Sequence, residues 1–220
     1  MKNLQIALAL KQLYQMRANG YKYTNIKMPD GNKSLLNLAG SLESLCEQAK
    51  QCHLCELSKS RSKVLFGEGD SNADILFVGN APNASDDATG KIFSGRAGEM
   101  LENMITKVLG ISKNSVYYTN IVKCYPSQNR AILPIEADTC ISYLHKQIEN
   151  IKPKIVVTLG DEAYKYLTNS DIEISKIHGT PLKHNGYIIV PTFDLSFLLK
   201  NPSYKKDAFE DLIKIKSLLK

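Results

Sequence analysis

The chain has 220 residues, 43% of them hydrophobic, which suits one sizeable domain with an appendage and excludes a disordered protein. Lys+Arg 28 against Asp+Glu 22 leaves a net charge of +6, a balance that fits a polyanionic partner and equally a solubilising surface. No stretch approaches the roughly 18 consecutive apolar residues of a membrane span, so a cytoplasmic protein with no membrane partner is expected.

The opening segment over residues 1–18 is apolar but interrupted at helical spacing by Gln5, Lys11, Gln12 and Gln15, and no small-residue cleavage site follows. It predicts an amphipathic helix ended by Asn19-Gly20. A polar connector with Pro29 and an Asp-Gly turn comes next, so residues 1–35 are expected to form a helical appendage to a domain over 36–220. A second helix, from Leu35 to Lys50, carries Leu35, Leu38, Leu42 and Leu45 on one face and leads to Cys52-His53-Leu54-Cys55.

Ile75, Leu76, Phe77 and Val78 form the unbroken apolar run required of a parallel strand covered on both faces. Gly79, Ala81, Pro82 and Asn83 end it, and a long polar loop containing Asp86 and Asp87 is expected before a helix with Leu101, Met104, Ile105, Val108 and Leu109 at three- and four-residue spacing. A second strand covers residues 115–122, and Pro134 with Glu136 opens a helix that runs to Asn150. Another buried strand spans Ile155 to Leu159, followed by a helix from Asp161 to Leu167. Tyr187 to Val190 is the last strand, ended by Pro191, and Pro202 to Leu219 the last helix. Alternating strands and helices predict a three-layer α/β/α sandwich with a mainly parallel central sheet. Ligands in such sheets bind at the carboxyl ends of the strands, so the loop after Val78 is the place to look for a site.

Five cysteines without a secretion signal argue against a disulfide framework and direct attention to metal binding. Cys52 and Cys55 have the C-x2-C spacing that converges on a metal without backbone strain, and Cys124 and Cys140 follow further on. Small buried hydrophobes and a structural zinc are the other readings of these residues. Cys46 is expected to pack within its helix.

The run Gly67-Glu68-Gly69, the apolar strand, then Gly79-x-Ala81-Pro82, two acids and Phe93-x-Gly95-Arg96-Ala97-Gly98 resembles the family 4 uracil-DNA glycosylases, the iron-sulfur branch of that superfamily. The resemblance covers roughly residues 40–217, and two of its positions depart. Asn80 stands where the family usually has glutamate, and Asn83 where it usually has glycine. A third departure is Asp194, which follows Pro191-Thr192-Phe193 where a histidine is usual in an H-P-S-A-L-L-R motif.

The resemblance implies a uracil-DNA glycosylase fold and an N-glycosyl hydrolase of DNA repair that removes uracil from a flipped nucleotide, acting as a monomer on single- or double-stranded DNA. It implies a 4Fe-4S cluster held by Cys52, Cys55, Cys124 and Cys140. It also implies Asn80, Asp86 and Asp194 at the catalytic positions and Ala81, Phe93, Asn120 and Ser196 against the substrate, Phe93 by stacking and Asn120 by reading the uracil edge. Arg96, Arg130 and Lys200 are expected to meet phosphate. Because Asp194 when ionised has no proton to donate to the departing base, a weakly active or inactive iron-sulfur DNA-binding protein of the same fold is the second expectation. A zinc- or cluster-stabilised interaction domain with no nucleic-acid role is the third.

Overall fold

The computed structural model describes residues 38–219, and the expected first helix and the front segment 1–35 lie outside these residues. The Ser41 hydroxyl accepts the Ser44 N–H at 3.2 Å and caps α1 (Leu42–Lys50), so this helix starts at the cap rather than at Leu35. After the cysteine pair comes the single turn α2 (Leu57–Ser60), then the short edge strand β1 (Glu68–Gly69) and β2 (Ile75–Gly79).

The polar stretch beyond β2 is not all loop. Asn83 Oδ1 accepts the Asp86 N–H and an Asp86 carboxylate oxygen accepts the Asn83 N–H, each at 3.0 Å, and this reciprocal box opens α3 (Ala84–Thr89). Gly90, at φ 78°, ends it in the left-handed conformation. α4 (Gly95–Asn103) continues as a π-helical segment, Met104–Leu109, with Leu101, Ile105 and Leu109 buried. β3 (Tyr117–Asn120) follows, and then α5 (Pro134–Ile151), opened by Pro134 with Glu136 accepting the Leu133 N–H at 2.9 Å.

β4 (Ile155–Leu159) leads into α6 (Asp161–Thr168) and the short α7 (Ile174–Ile177). β5 (Leu182–His184) and β6 (Tyr187–Thr192) form a hairpin through Asn185 and Gly186, both at positive φ, the turn geometry that matches strand twist. Pro191 lies inside β6 instead of ending it, in register with Thr158, and its carbonyl accepts the Gly179 N–H at 2.8 Å. α8 (Leu195–Lys200) and α9 (Lys205–Leu218) close the chain, with a 3-10 turn at Pro202–Tyr204 where the sequence predicts unbroken helix.

The six strands form one sheet in the order β1-β3-β2-β4-β6-β5. The four inner strands are parallel, and the two edge strands are antiparallel to their neighbours. Successive side chains go to opposite faces, and each face has its own core. Ile75, Phe77, Ile155 and Val157 pack with Leu101, Ile105, Leu109, Leu212 and Ile215 from α4, its π-helical extension and α9. Leu76, Val78 and Val156 pack on the other face with Ala137, Leu144, Ala163 and Leu167 from α5 and α6. With about 1.5–3 kcal/mol for each fully buried aliphatic side chain, these two layers hold the strand ends in fixed register. The expected three-layer α/β/α fold is therefore present, with its sheet mostly parallel.

Candidate active site

The parallel register pairs Gly79 at the end of β2 with Asn120 at the end of β3. A side chain on Gly79 would collide with Asn120 Oδ1 and come 2.9 Å from the Phe93 ring, so only glycine allows the carboxamide and the ring to close on this strand end. Asn120 is fully buried, and neither its Oδ1 nor its Nδ2 has a hydrogen-bond partner among the described residues. Leaving a buried donor and acceptor unpaired costs about 1–3 kcal/mol each, and a native fold tolerates that where a ligand completes the bonds. The Asn120 main chain is fixed from behind. Its carbonyl accepts from Lys123 Nζ at 2.6 Å, and the same ammonium reaches Thr119 Oγ1 at 2.6 Å and Gln147 Oε1 at 2.7 Å. Burial pushes the Lys123 amine down to about 7.

Phe93 has a positive φ of 52° and meets Tyr118 edge to face with ring centroids 6.2 Å apart. A Cβ on Gly98 would collide with the Phe93 carbonyl oxygen, which explains the glycine one turn into α4. Asp86, placed by the sequence among the catalytic groups, is 1% exposed, and both its oxygens are engaged within the fold. One accepts the Asn83 N–H, and the other accepts the Ser94 N–H at 2.6 Å and the Ser94 hydroxyl at 2.8 Å. Its neighbour Asp87 accepts the N–H groups of Ser62 and Lys63. These carboxylates position the loop that carries Phe93.

At the next position on β2's side, Asn80 is half-buried beside Ala81. Its Nδ2 donates to Glu162 Oε2 on the first turn of α6, and its Oδ1 is buried without a partner among the described residues. Asp194 caps α8, with Oδ1 accepting the Phe197 N–H at 2.9 Å. It sits over Gly160, where an added Cβ would come 2.9 Å from the Asp194 Cβ. Burial raises the Asp194 carboxyl above its ordinary value of 3.8, against the pull of the Phe197, Ser196 and Leu195 N–H groups and of Lys200. Asn120, Asn80, Glu162 and Asp194 thus all stand at carboxyl ends of parallel strands or on the turns that follow them.

Of the residues expected to meet phosphate, Arg96 and Lys200 are exposed, as is Ser196. Arg130 is already bound: its guanidinium grips the buried Glu136 carboxylate at 2.6 and 2.9 Å. A wider cleft beside β1 and α4 shares Phe93 and Tyr118 and is bordered by Glu68, Asp70, Glu99 and Glu102 together with Lys91 and Lys113. Lys113 is paired with Glu102 at 2.9 Å, so the carboxylates outweigh the cations and the rim suits a nucleic-acid backbone poorly.

Cys52, Cys55, Cys124 and Cys140 line a single small cavity with Arg61, Val64, Lys123 and Tyr143. Arg61 donates to Cys124 Sγ at 3.1 Å and to the Cys52 carbonyl at 2.7 Å. Burial pushes Cys140 up to about 12 and raises Cys124 and Cys55. Among the described residues, no group of three or more His, Cys, Asp or Glu side chains is arranged to hold a single metal ion. Cys46 packs with Leu45, Ala49, Phe66 and Tyr143 and is not among the residues lining that cavity.

Two site residues escape sequence reasoning. Lys123 is visible only as the residue before Cys124, and Glu162 meets Asn80 across a separation that no local pattern reports.

Residues 66–214 match the uracil DNA glycosylase superfamily. The chain is 37% identical to a type-4 uracil-DNA glycosylase of Saccharolobus solfataricus, over 81% of this chain and 87% of the relative. It is 38% identical to one of Sulfurisphaera tokodaii, over 81% of this chain and 84% of the relative. It is 37% identical to one of Thermotoga maritima, over 81% of this chain and 95% of the relative. No described helix is long and apolar enough to cross a membrane. A chain that shares the superfamily's pattern across its sheet and strand-end site, and more than a third of the aligned residues with these relatives over most of their length, belongs to the type-4 uracil-DNA glycosylases.

Proposed function

We propose that the chain removes uracil from DNA by hydrolysing the N-glycosidic bond of a flipped nucleotide, at the site formed by Phe93, Asn120, Asn80 and Asp194. The observation that carries this reading is the fully buried Asn120 amide, unpaired on both atoms among the described residues and set against the Phe93 ring at the bare Gly79. An amide offers uracil both complements, its oxygen accepting the N3–H and its nitrogen donating to O4, while the ring stacks on the base. The C1′–N1 bond breaks with its electron pair going to the base, water adds to C1′, and the products are uracil and an abasic site. Ala81, on the loop after β2, would approach the nucleotide, and the exposed Ser196, Arg96 and Lys200 would meet phosphate. Arg130 reaches phosphate only with the donors that its pair with Glu136 leaves.

Four cysteines on one cavity, with the cations Arg61 and Lys123 beside them, suit a 4Fe-4S cluster better than a zinc ion. A single ion needs its ligands to converge on one point, whereas a four-iron cube takes each thiolate on a different corner. Bound there, the cluster would tie α1's end, the turn after β3 and α5 together as a structural staple. We also propose a cytoplasmic monomer in which residues 36–220 form the glycosylase domain.

Release of uracil from single- and double-stranded oligonucleotides tests the activity. The expected result is uracil release that disappears in Asn120→Ala; a wild-type protein that binds such DNA without releasing base would instead support the binding-protein reading. That second reading has one specific support, the carboxylate of Asp194 where the chemistry calls for a proton donor.

A further inference from the structure

Breaking the glycosidic bond leaves a cation on the sugar, and Asn80, which follows the carboxyl end of β2, has no charge to offer it. Its environment does. Asn80 Nδ2 donates to Glu162 Oε2, from a helix turn that follows the neighbouring strand β4. A carboxylate is an acceptor only, so this contact dictates which way the amide faces. The nitrogen must point to Glu162, and Oδ1 is left on the other side, buried and without a partner among the described residues. A cation one turn along α6, Lys165, forms its ion pair with Asp171 at 2.6 Å.

We propose that Glu162 is a positioning residue and charge source for the reaction: it holds Asn80 so that Oδ1 accepts a hydrogen bond from the attacking water, and its anion stabilises the sugar cation. This inference rests on the uracil-excision reading. In the step it serves, the C1′–N1 pair departs with uracil, a lone pair of the water oxygen forms the bond to C1′, and the water proton neutralises the departing uracil anion. Asn80 takes no proton. Glu162 supplies negative charge through a one-residue contact, and the amide supplies direction.

The test compares two DNA ligands that cannot react, one with a cationic pyrrolidine at the target sugar and one with a neutral tetrahydrofuran. Wild type should bind the pyrrolidine DNA at least about tenfold more tightly, the scale of one charge pair near a protein surface. Glu162→Gln, which keeps shape but lets the amide face either way, should lose that preference while binding the tetrahydrofuran DNA unchanged and melting at the same temperature. Glu162→Asp, which keeps the charge on a shorter arm, should fall between them. Uracil release should drop by at least about tenfold in Glu162→Gln. A wild type that does not discriminate between the ligands, or a Gln variant that keeps the preference and the rate, overturns the assignment. If wild type discriminates through Glu162 yet releases no uracil, the excision reading fails and with it the catalytic part of the assignment, leaving Glu162 as the charge that this site sets against a bound sugar.

Discussion

Asp86 accepts both the main-chain N–H of Ser94 at 2.6 Å and its hydroxyl at 2.8 Å, and so fastens the start of α3 to the residue after Phe93. The stacking ring is thus placed by a carboxylate that is itself almost wholly buried. Asp86→Asn should lower stability by about 1.5–3 kcal/mol, since hydrogen bonds to a buried charged acceptor are weakened and the amide nitrogen must face either the Asn83 N–H or the Ser94 N–H. Uracil release should fall with it, because Phe93 is no longer fixed. Urea denaturation and single-turnover release on the same samples check this. Full stability with abolished release would instead put Asp86 in the chemistry.

Asn120 should show the opposite signature. Removing a buried amide that has no partner among the described residues relieves an uncompensated desolvation, so Asn120→Ala should melt no lower than wild type. Its uracil release should fall by at least about 100-fold, the scale on which sites built to hydrogen-bond a substrate lose function when the bonds are removed. A thermal melt and a release assay decide it; a strongly destabilised variant would mean that the amide has protein partners.

Replacing Cys52, Cys55, Cys124 or Cys140 by Ser should remove the broad visible absorption of a thiolate-bound iron-sulfur cluster, together with bound iron and with solubility. Cys46→Ser should change none of these, since Cys46 packs against Leu45 and Tyr143 away from the residues that line the cavity. Iron analysis of the five variants separates the ligand set from the packing cysteine. A Cys124→Ser protein with full iron content would show that the set is different.

How the sequence announced these features depended on whether their signals were local. Ile75–Gly79 and Ile155–Leu159 were legible because a strand covered on both faces must be apolar throughout, and no solvent-facing residue interrupts either run. The α3 helix was missed although Asn83 and Asp86 have capping-box spacing, because prolines and glycines around them read as loop. The β5–β6 hairpin was missed although Asn185-Gly186 is a strong turn signal, because the strand before it is short and half polar. Phe93 and Asn120 were reached through family-like motifs, and the structure brings both to Gly79. Glu162 left no trace in the sequence, since its meaning depends on β4 lying next to β2 in the sheet.

Asp194 is the residue whose protonation should govern both stability and rate. Burial disfavours its charged form, so the folded chain holds this proton to higher pH than the unfolded chain does. The stability it contributes is therefore full below the unfolded-state pKa and is lost as pH rises through the raised folded value. Asp194→Asn keeps a side-chain oxygen for the Phe197 N–H and carries no charge, so its stability should be flatter across that window and higher than wild type above it. The same proton matters to chemistry: with Oδ1 engaged by Phe197, Oδ2 is the oxygen on which a protonated carboxyl would donate to the developing uracil anion. Uracil release by wild type should rise as pH falls toward the raised pKa. Above that raised pKa the donor is absent, which typically costs about 10²–10³ in rate, and Asp194→His should recover much of that while Asp194→Asn recovers less. The pH–rate profiles of the three proteins, measured with their denaturation midpoints, check both claims together. A wild type already fast at neutral pH, and unimproved by Asp194→His, would show that this carboxyl lies away from the departing base and acts as a helix cap alone.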